Sequence, residues 1–357
     1  MPKLLVITPY PNLAADTRYR ISQFIPFINK NGWQVSVRPF MDERLFAIYH
    51  QKSMLFETVI RSIIRTISRL LDCFSARKYD VIFIHKETFP FGPPIFEKLL
   101  AMFQPNIIYD MDDAFWTHPP EFNQIGKRIR DKQKIHKIIK LSKLILAGNE
   151  YILNFVKQIN PNVIYFPTVL NTEIYQPRKE LADDFITIGW VGRWSSQDYL
   201  YNLKPVFQNL IKKFDNLRFC FVGVSDDFTI DDLPIVKQKW TLENEIASLI
   251  PFDIGIMPLP DDEYSKGKCG FKLLQYMALG IPSVASPVGV NSKIITDGKN
   301  GFLANPHEEW EAKLSLLISD KSLRNKIGSN GRLTVENFYS LKQSEPNLLN
   351  LLNEMVN

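Results

Sequence analysis

The segment Lys266–Gly301 runs KGKCGFKLLQYMALGIPSVASPVGVNSKIITDGKNG. It divides into a tight loop, a helix, a short buried strand and a glycine-punctuated turn. Gly267 and Gly270 flank Lys268 and Cys269, and a loop short of Cβ atoms lets the backbone approach a ligand closely. The spacing predicts a helix over Phe271–Leu279 that ends at Gly280 with a left-handed cap. Ile281–Ser286 is a short apolar run bounded by Gly and Pro, the pattern of a buried strand. A glycine loop that opens a helix is an anion site, because free N–H groups and the helix dipole point at the ligand. Lys268 and Lys272 add two positive charges there. The simplest ligand is a phosphate or a diphosphate.

Outward from this segment, short apolar runs alternate with longer helical patterns. Strands are expected at Lys3–Thr8, Trp33–Arg38, Val81–His85, Ile107–Tyr109, Leu144–Ala147 and Val163–Phe166. A second set follows at Ile186–Val191, Leu217–Val222, Asp253–Met257 and Ile281–Ser286. Such alternation argues for parallel sheets with helices on both faces. The fold class is therefore α/β, with two doubly wound, Rossmann-like domains joined near Pro167–Asp184. Ligands in such sheets sit at the carboxyl ends of the strands, so the cleft that the two domains face is the expected site.

At 357 residues the chain has room for two cores. It has no apolar run of the length a membrane span needs. The first residues enter a strand directly, without the pattern of a secretory leader. Cys73, Cys220 and Cys269 form neither a zinc motif nor an even disulfide set, which suits a reducing cytoplasm. The net charge is +5, but it is uneven. Residues 1–180 carry 25 Lys and Arg against 16 Asp and Glu, leaving 18 against 22 for the remainder. A basic first half suggests an anionic partner. No nucleic-acid motif is present, which leaves a membrane surface or another anionic ligand as the partner.

Two basic helices are expected. Over Asp42–Leu71, Phe46, Tyr49, Leu55, Phe56, Val59, Ile60, Ile63, Ile64 and Ile67 form a broad apolar stripe, with Arg61, Arg65 and Arg69 on another face. Lys127–Lys143 is dense in Lys and Arg. Each helix either attaches peripherally to anionic headgroups or packs its apolar stripe on the sheet and leaves its charges solvated.

Other constellations cluster at strand ends. Gly189–Ser196 closes the first strand of the second domain; Gly192 permits the turn, and Ser195 or Ser196 suits a helix cap. Thr241 with Asn244 or Glu245 resembles a helix start, and Trp240 precedes it. Tyr109–Ala114 places Asp110, Asp112 and Asp113 beyond a strand. Clustered carboxylates raise one another's pKa, which suits acid or base work. Asp16, Thr17, Arg18, Tyr19 and Arg20 follow the first strand, and arginines at that place suit a phosphate-bearing ligand. Lys86, Glu87, Asn149 and Glu150 complete the rim. Of the histidines, only His118 lies near Asp112 in sequence. There is no H-x-x-x-H, no G-x-S-x-G, no P-loop and no G-x-G-x-x-G after the first strand. These absences argue against zinc chemistry, a serine hydrolase, a P-loop NTPase and a dinucleotide oxidoreductase.

Met277–Ser286, MALGIPSVAS, resembles the A-x-G-x-P-V-[VI]-A-S strand of the nucleotide-sugar site in family 4 glycosyltransferases, the glycosyl transferases group 1, which have the GT-B fold. Gly267 and Gln275 stand where that family usually has its two glutamates, and Lys272 fits a branch that carries a lysine there. Arg193 matches the family's diphosphate-binding arginine, while Tyr199 stands at the usual lysine.

The resemblance implies an acceptor domain over 1–170, a nucleotide-sugar domain over 185–337, and a last helix, 338–357, packed back on the first. It implies a donor site of Gly192, Arg193, Ser195, Ser196, Trp240, Glu245, Lys268, Cys269, Gly270, Phe271, Lys272 and Gln275. Arg18, Tyr19 and Arg20 would meet the acceptor, with Asp112 and Asp113 as catalytic residues. No metal and no cofactor are expected beyond the nucleotide diphosphate sugar. The implied activity is retaining hexosyl transfer to a lipid-linked or surface glycan, in polysaccharide or lipopolysaccharide synthesis. Two rivals are a nucleotide-sugar epimerase of the same fold and a non-catalytic nucleotide-sugar-binding partner. The implied place is the cytoplasm or the inner face of the membrane.

Overall fold

The computed structural model describes residues 1–117, 131–178, 184–231 and 233–356. The chain divides into two compact units: 1–168 with 341–357, and 169–340.

The first unit holds a six-stranded parallel sheet in the order β2-β1-β3-β4-β5-β6. Its strands are β1 (Lys3–Thr8), β2 (Gln34–Pro39), β3 (Val81–His85), β4 (Ile107–Met111), β5 (Leu144–Ala147) and β6 (Val163–Tyr165). Every residue of β3 and β4 is buried, as expected of central parallel strands covered on both faces. The helices between them are α1 (Ala15–Arg20), α2 (Ile25–Lys30), α3 (Glu43–Ile48), α4 (Leu55–Ser75), α5 (Ile95–Phe103), α6 (Lys134–Leu141) and α7 (Glu150–Lys157).

The second unit has the order β12-β11-β10-β7-β8-β9, again all parallel. Its strands are β7 (Ile186–Val191), β8 (Leu217–Val222), β9 (Ile235–Gln238), β10 (Ile254–Met257), β11 (Ser283–Ala285) and β12 (Phe302–Leu303). Its helices are α8 (Lys204–Lys213), α9 (Glu263–Lys266), α10 (Phe271–Ala278), α11 (Asn291–Ile294), α12 (His307–Ser319) and α13 (Lys321–Phe338). The last helix, α14 (Leu341–Val356), belongs to the first unit. There it packs on α2 and β3, burying Leu348 and Leu352, and Trp33 Nε1 donates to Asn353 Oδ1 at 3.0 Å.

Each sheet order reverses once, between β1 and β3 in the first unit and between β7 and β10 in the second. Such reversals open a crevice at the carboxyl ends of the strands.

Three expectations need correction. Asp42–Leu71 is not one helix. Asp42 caps α3 by accepting from the Leu45 N–H at 2.7 Å, and the chain breaks at Tyr49–Met54 before α4 begins. The stripe on α4 does not pack on the sheet: Ile63, Ile64 and Ile67 are each more than half exposed, and Arg69 is the buried side chain. In the basic run, Lys134 is turned inward, with Nζ 3.0 Å from Glu87 Oε2. The beginning of that run lies outside the described residues.

Candidate functional site

The second unit builds its site from two loops at the reversal point. β7 ends at Val191, and Gly192 follows. A Cβ on Gly192 would meet the Trp190 ring at 2.3 Å and Lys272 Nζ at 2.9 Å. Gly223, at φ +80°, packs on Gly192 so closely that its own Cβ would meet the Gly192 carbonyl oxygen at 2.1 Å, with Trp240 Cβ at 3.6 Å. The turns after β7 and β8 therefore interlock only without side chains. Trp240 stands beside them.

The second loop leads into α10. Gly270 takes φ +70° at the helix start and offers no side-chain cap, so the first-turn N–H groups gain nothing from its side chain. Lys272 lies in this first turn, with Nζ 4.4 Å from the Trp190 ring centroid. Burial lowers its pKa from 10.5 to about 7, and the positive charge of Lys268 adds to the shift. Lys268 Nζ lies 4.2 Å over the Tyr264 ring. Asp262 caps α9 by accepting from Ser265 N–H at 2.7 Å, which shapes the loop before Gly267. Cys269 is a partly exposed free thiol, and Phe271 is half-buried. The structure thus brings Gly192, Trp240, Gly270 and Lys272 to one end of the sheet. An anion placed there would relieve the unfavourable charging of Lys272.

Other expected donor residues sit differently. Arg193 is exposed in extended backbone and starts a 3₁₀ helix, Trp194–Leu203. Ser196 does not cap an α-helix; its hydroxyl donates back to the Arg193 carbonyl at 3.0 Å, and Ser195 is half-buried beside it. Thr241 and Asn244 cap each other, with Thr241 N–H donating to Asn244 Oδ1 at 2.7 Å and Asn244 N–H to Thr241 Oγ1 at 3.3 Å. Turns follow them instead of a helix, and Glu245 is buried there. Gln275 is also buried, and its Nε2 donates to the Tyr175 hydroxyl at 2.8 Å. The amide nitrogen of this expected donor-site residue is thus held by an inward bond.

In the first unit, the reversal between β1 and β3 gathers charge. Lys86 follows β3 with φ +61°, a left-handed conformation unusual for a side-chain-bearing residue. Its ammonium pairs with Asp16 and lies 3.7 Å from Asp112 Oδ1. Burial opposes the Lys86 charge, yet Asp112, Asp16 and Asp113 raise its pKa well above 10.5. Burial would raise the Asp16 carboxyl too, but Lys86 and His85 overcome it and hold the group at about 2.

Arg20 requires a correction. Its side chain is not presented to an acceptor: it is 1% exposed, and Nε donates to Asp110 Oδ2 at 3.1 Å. It also donates to the Phe166 carbonyl at 2.9 Å and Thr168 Oγ1 at 3.3 Å. Asp110 Oδ2 meets His85 Nδ1 at 2.7 Å. Burial works against the Asp110 charge, but Arg20 and the His85 bond keep its pKa below 3.8. Arg18 donates to the Leu13 carbonyl at 2.7 Å and lies 5.4 Å over the Tyr19 ring. Among the described residues, the histidine beside the carboxylates is His85; His118 lies outside them. Asp16 and His85 were missed as partners because one reaches the site from the first turn of α1 and the other from the end of β3, far apart in sequence. Among the described residues, no group of three His, Cys, Asp or Glu side chains could hold a metal ion.

Comparison with known proteins bears on this geometry. Residues 171–334, nearly all of the second unit, match the family model described as Glycosyl transferases group 1. The chain is 24% identical over 179 residues to the capsular polysaccharide biosynthesis glycosyltransferase CapM of Staphylococcus aureus, covering 48% of this chain and 46% of CapM. It therefore spans about half the length of that relative. Sucrose-phosphate synthase from Thermosynechococcus elongatus superposes with a TM-score of 0.72 at 13% identity, over 99% of each chain. Anabaena Alr3699/HepE, solved in complex with UDP and glucose, gives 0.70 at 14%, over 99% of this chain and 100% of that one. At these identities the likeness is one of fold, the two Rossmann-like units of GT-B glycosyltransferases. Lys266–Gly301 lies inside the matched region, so the resemblance to group 1 glycosyltransferases holds where its residues carried it.

Proposed function

We propose that this protein transfers a hexosyl group from a nucleoside diphosphate sugar to a lipid-linked or surface glycan, with retention of configuration, as a family 4 member. The observation that carries the reading is the seat of Lys272, beside Gly192 and over Trp190 at the uncapped start of α10. As the bond between the sugar and the β-phosphate oxygen breaks, negative charge grows on the diphosphate. A fixed ammonium and helix N–H groups aimed at that charge stabilise the transition state more than the ground state. The acceptor hydroxyl attacks the anomeric carbon, and its proton passes to the departing phosphate, with Asp112 or Asp113 assisting.

The relative solved with UDP and glucose supports this donor class, and the capsular relative supports a glycan acceptor. Arg18 and Tyr19 remain as acceptor contacts; Arg20 acts behind them. No metal or cofactor enters the reading. The cytoplasm suits it, with Cys73, Cys220 and Cys269 as free thiols.

Thermal-shift binding of UDP, GDP, ADP, CMP and their common sugar conjugates tests the proposal, with wild type beside Lys272→Ala. A ligand at about 100 times its Kd stabilises by about 2.7 kcal/mol. One nucleotide should stand out and be lost in the variant. No shift with any of them would overturn the donor site. Donor turnover without an acceptor would favour the epimerase, and tight binding without turnover on any acceptor a non-catalytic partner, consistent with Gln275 being committed to Tyr175.

A further inference from the structure

Helix α4 is built inside out. Leu55, Phe56, Ile63, Ile64, Ile67 and Leu71 are each more than half exposed. Its arginines point the other way. Arg65 Nε donates to the Phe40 carbonyl at 2.7 Å. Arg69, 1% exposed, donates to the carbonyls of Thr88 at 3.1 Å, Arg38 at 3.0 Å and Thr8 at 3.2 Å. The guanidinium groups therefore fasten the helix to the sheet ends, and the aliphatic side chains face out. A surface helix ordinarily does the opposite, and a continuous apolar row of this length marks an interaction surface.

The charge around the row identifies what covers it. Lys52 stands before its first turn, and Arg77 and Lys78 after its last; all three are exposed. On α5, which packs beside α4, Ile95, Lys98 and Met102 are exposed as well. The two carboxylates of α4 are already matched. Glu57 bonds Arg44 and Arg61, each at 2.8 Å, and Asp72 pairs with Arg69 at 3.3 Å and Arg38 at 3.6 Å. The outward face is apolar along about 31 Å of helix, cationic at its ends, and free of unmatched negative charge. That is the complement of a lipid surface with anionic headgroups, where apolar side chains enter the acyl boundary and cations meet phosphates. No described helix is long and apolar enough to cross a membrane.

We infer that α4 lies in the plane of an anionic lipid surface, with Ile63, Ile64 and Ile67 inserted and Lys52, Arg77, Lys78 and Lys98 at the headgroups. The inference stands apart from the transfer reaction, since none of these residues belongs to the donor or acceptor site.

Co-sedimentation of the full chain with phosphatidylcholine vesicles, with and without phosphatidylglycerol, tests it. Wild type should bind the anionic vesicles at least about tenfold more tightly, and salt should weaken that binding. The combined change Ile63→Glu, Ile64→Glu, Ile67→Glu should lower binding by more than about tenfold while leaving the melting temperature and nucleotide binding in place. The milder pair Ile63→Ser, Ile67→Ser should give an intermediate loss and serves if the triple change disturbs folding. Lys52→Gln with Arg77→Gln and Lys78→Gln should remove the preference for phosphatidylglycerol. Wild type left in the supernatant with both vesicles overturns the inference, and so does undiminished binding by both apolar variants. A dimer that the glutamates dissociate, with no vesicle binding, overturns it in favour of a second copy of this chain.

Discussion

The Lys272 ammonium lies 4.4 Å from the centroid of the Trp190 ring, and a Cβ on Gly192 would sit 2.9 Å from the same nitrogen. One residue from the end of β7, one just beyond it and one from the first turn of α10 thus share a single small space. The indole face gives the cation partial compensation, yet burial, with the charge of Lys268, still lowers its pKa to about 7.

That shift has a sign that can be measured. The folded pKa of Lys272 is about 7 against an ordinary 10.5, so between those values the unfolded chain binds the extra proton. Stability then rises with pH across the window. Lys272→Met should raise the melting temperature near and below neutrality, with the gain fading as pH approaches the upper limit. Binding of a nucleoside diphosphate should restore the charge. At a pH of about 8 it should take up a proton, seen as a binding heat that varies with the ionisation enthalpy of the buffer.

Gly192→Ala places a methyl group where the Trp190 ring is 2.3 Å away. Overpacking of this kind costs about 1–3 kcal/mol. The variant should melt lower and lose nucleotide binding together, as read by a urea titration and a thermal-shift scan on one preparation. Normal binding at reduced stability would separate the turn from the site.

Asp112→Asn and Asp113→Asn should leave nucleotide binding unchanged. The one that assists proton transfer should lower turnover by about 10²-fold or more, measured by release of nucleoside diphosphate in the presence of acceptor. Near-normal turnover in both would remove the carboxylates from the mechanism.

Arg20→Ala should cost about 3–5 kcal/mol in chemical denaturation, because it strips the buried Asp110 of its guanidinium and leaves only the His85 bond. A fall in acceptor affinity at unchanged stability would restore Arg20 to the binding role.

Asp16 behaves as a depressed carboxyl. Its contribution to stability is fully present above its ordinary pKa of 3.8 and is lost as pH falls through about 2. Asp16→Asn should flatten the acid limb of the melting temperature against pH over that window.

Much of the architecture was legible because parallel strands covered on both faces read as largely apolar runs; Val81–His85 and Leu217–Val222, the latter interrupted only by Arg218, appear as expected. β9 escaped because it lies at a sheet edge and carries Lys237 among half-exposed residues, and β12 because it has only two residues. The break between α3 and α4 carries no Gly or Pro to announce it. In the second unit's candidate site, the loop at Gly270 and the helix that carries Lys272 were visible through local spacing. Buried polar partnerships were not. Arg20 meets Asp110 across 90 positions and Gln275 meets Tyr175 across 100, and residue types that usually face solvent give no local sign of such pairing. The orientation of α4 was illegible for a related reason: an amphipathic pattern shows two faces without saying which one the protein keeps.

The placement of α14 bears on the order in which the chain is made. The first unit needs residues 341–357, but the ribosome reaches them only after the entire second unit, 169–340, has been synthesised. Domains generally fold from the amino terminus as they emerge; here the half begun first is finished last. Until then the surfaces that Leu348 and Leu352 cover lie open to chaperones, and a stop codon near Ser340 would leave a complete second unit attached to an unfinished first one.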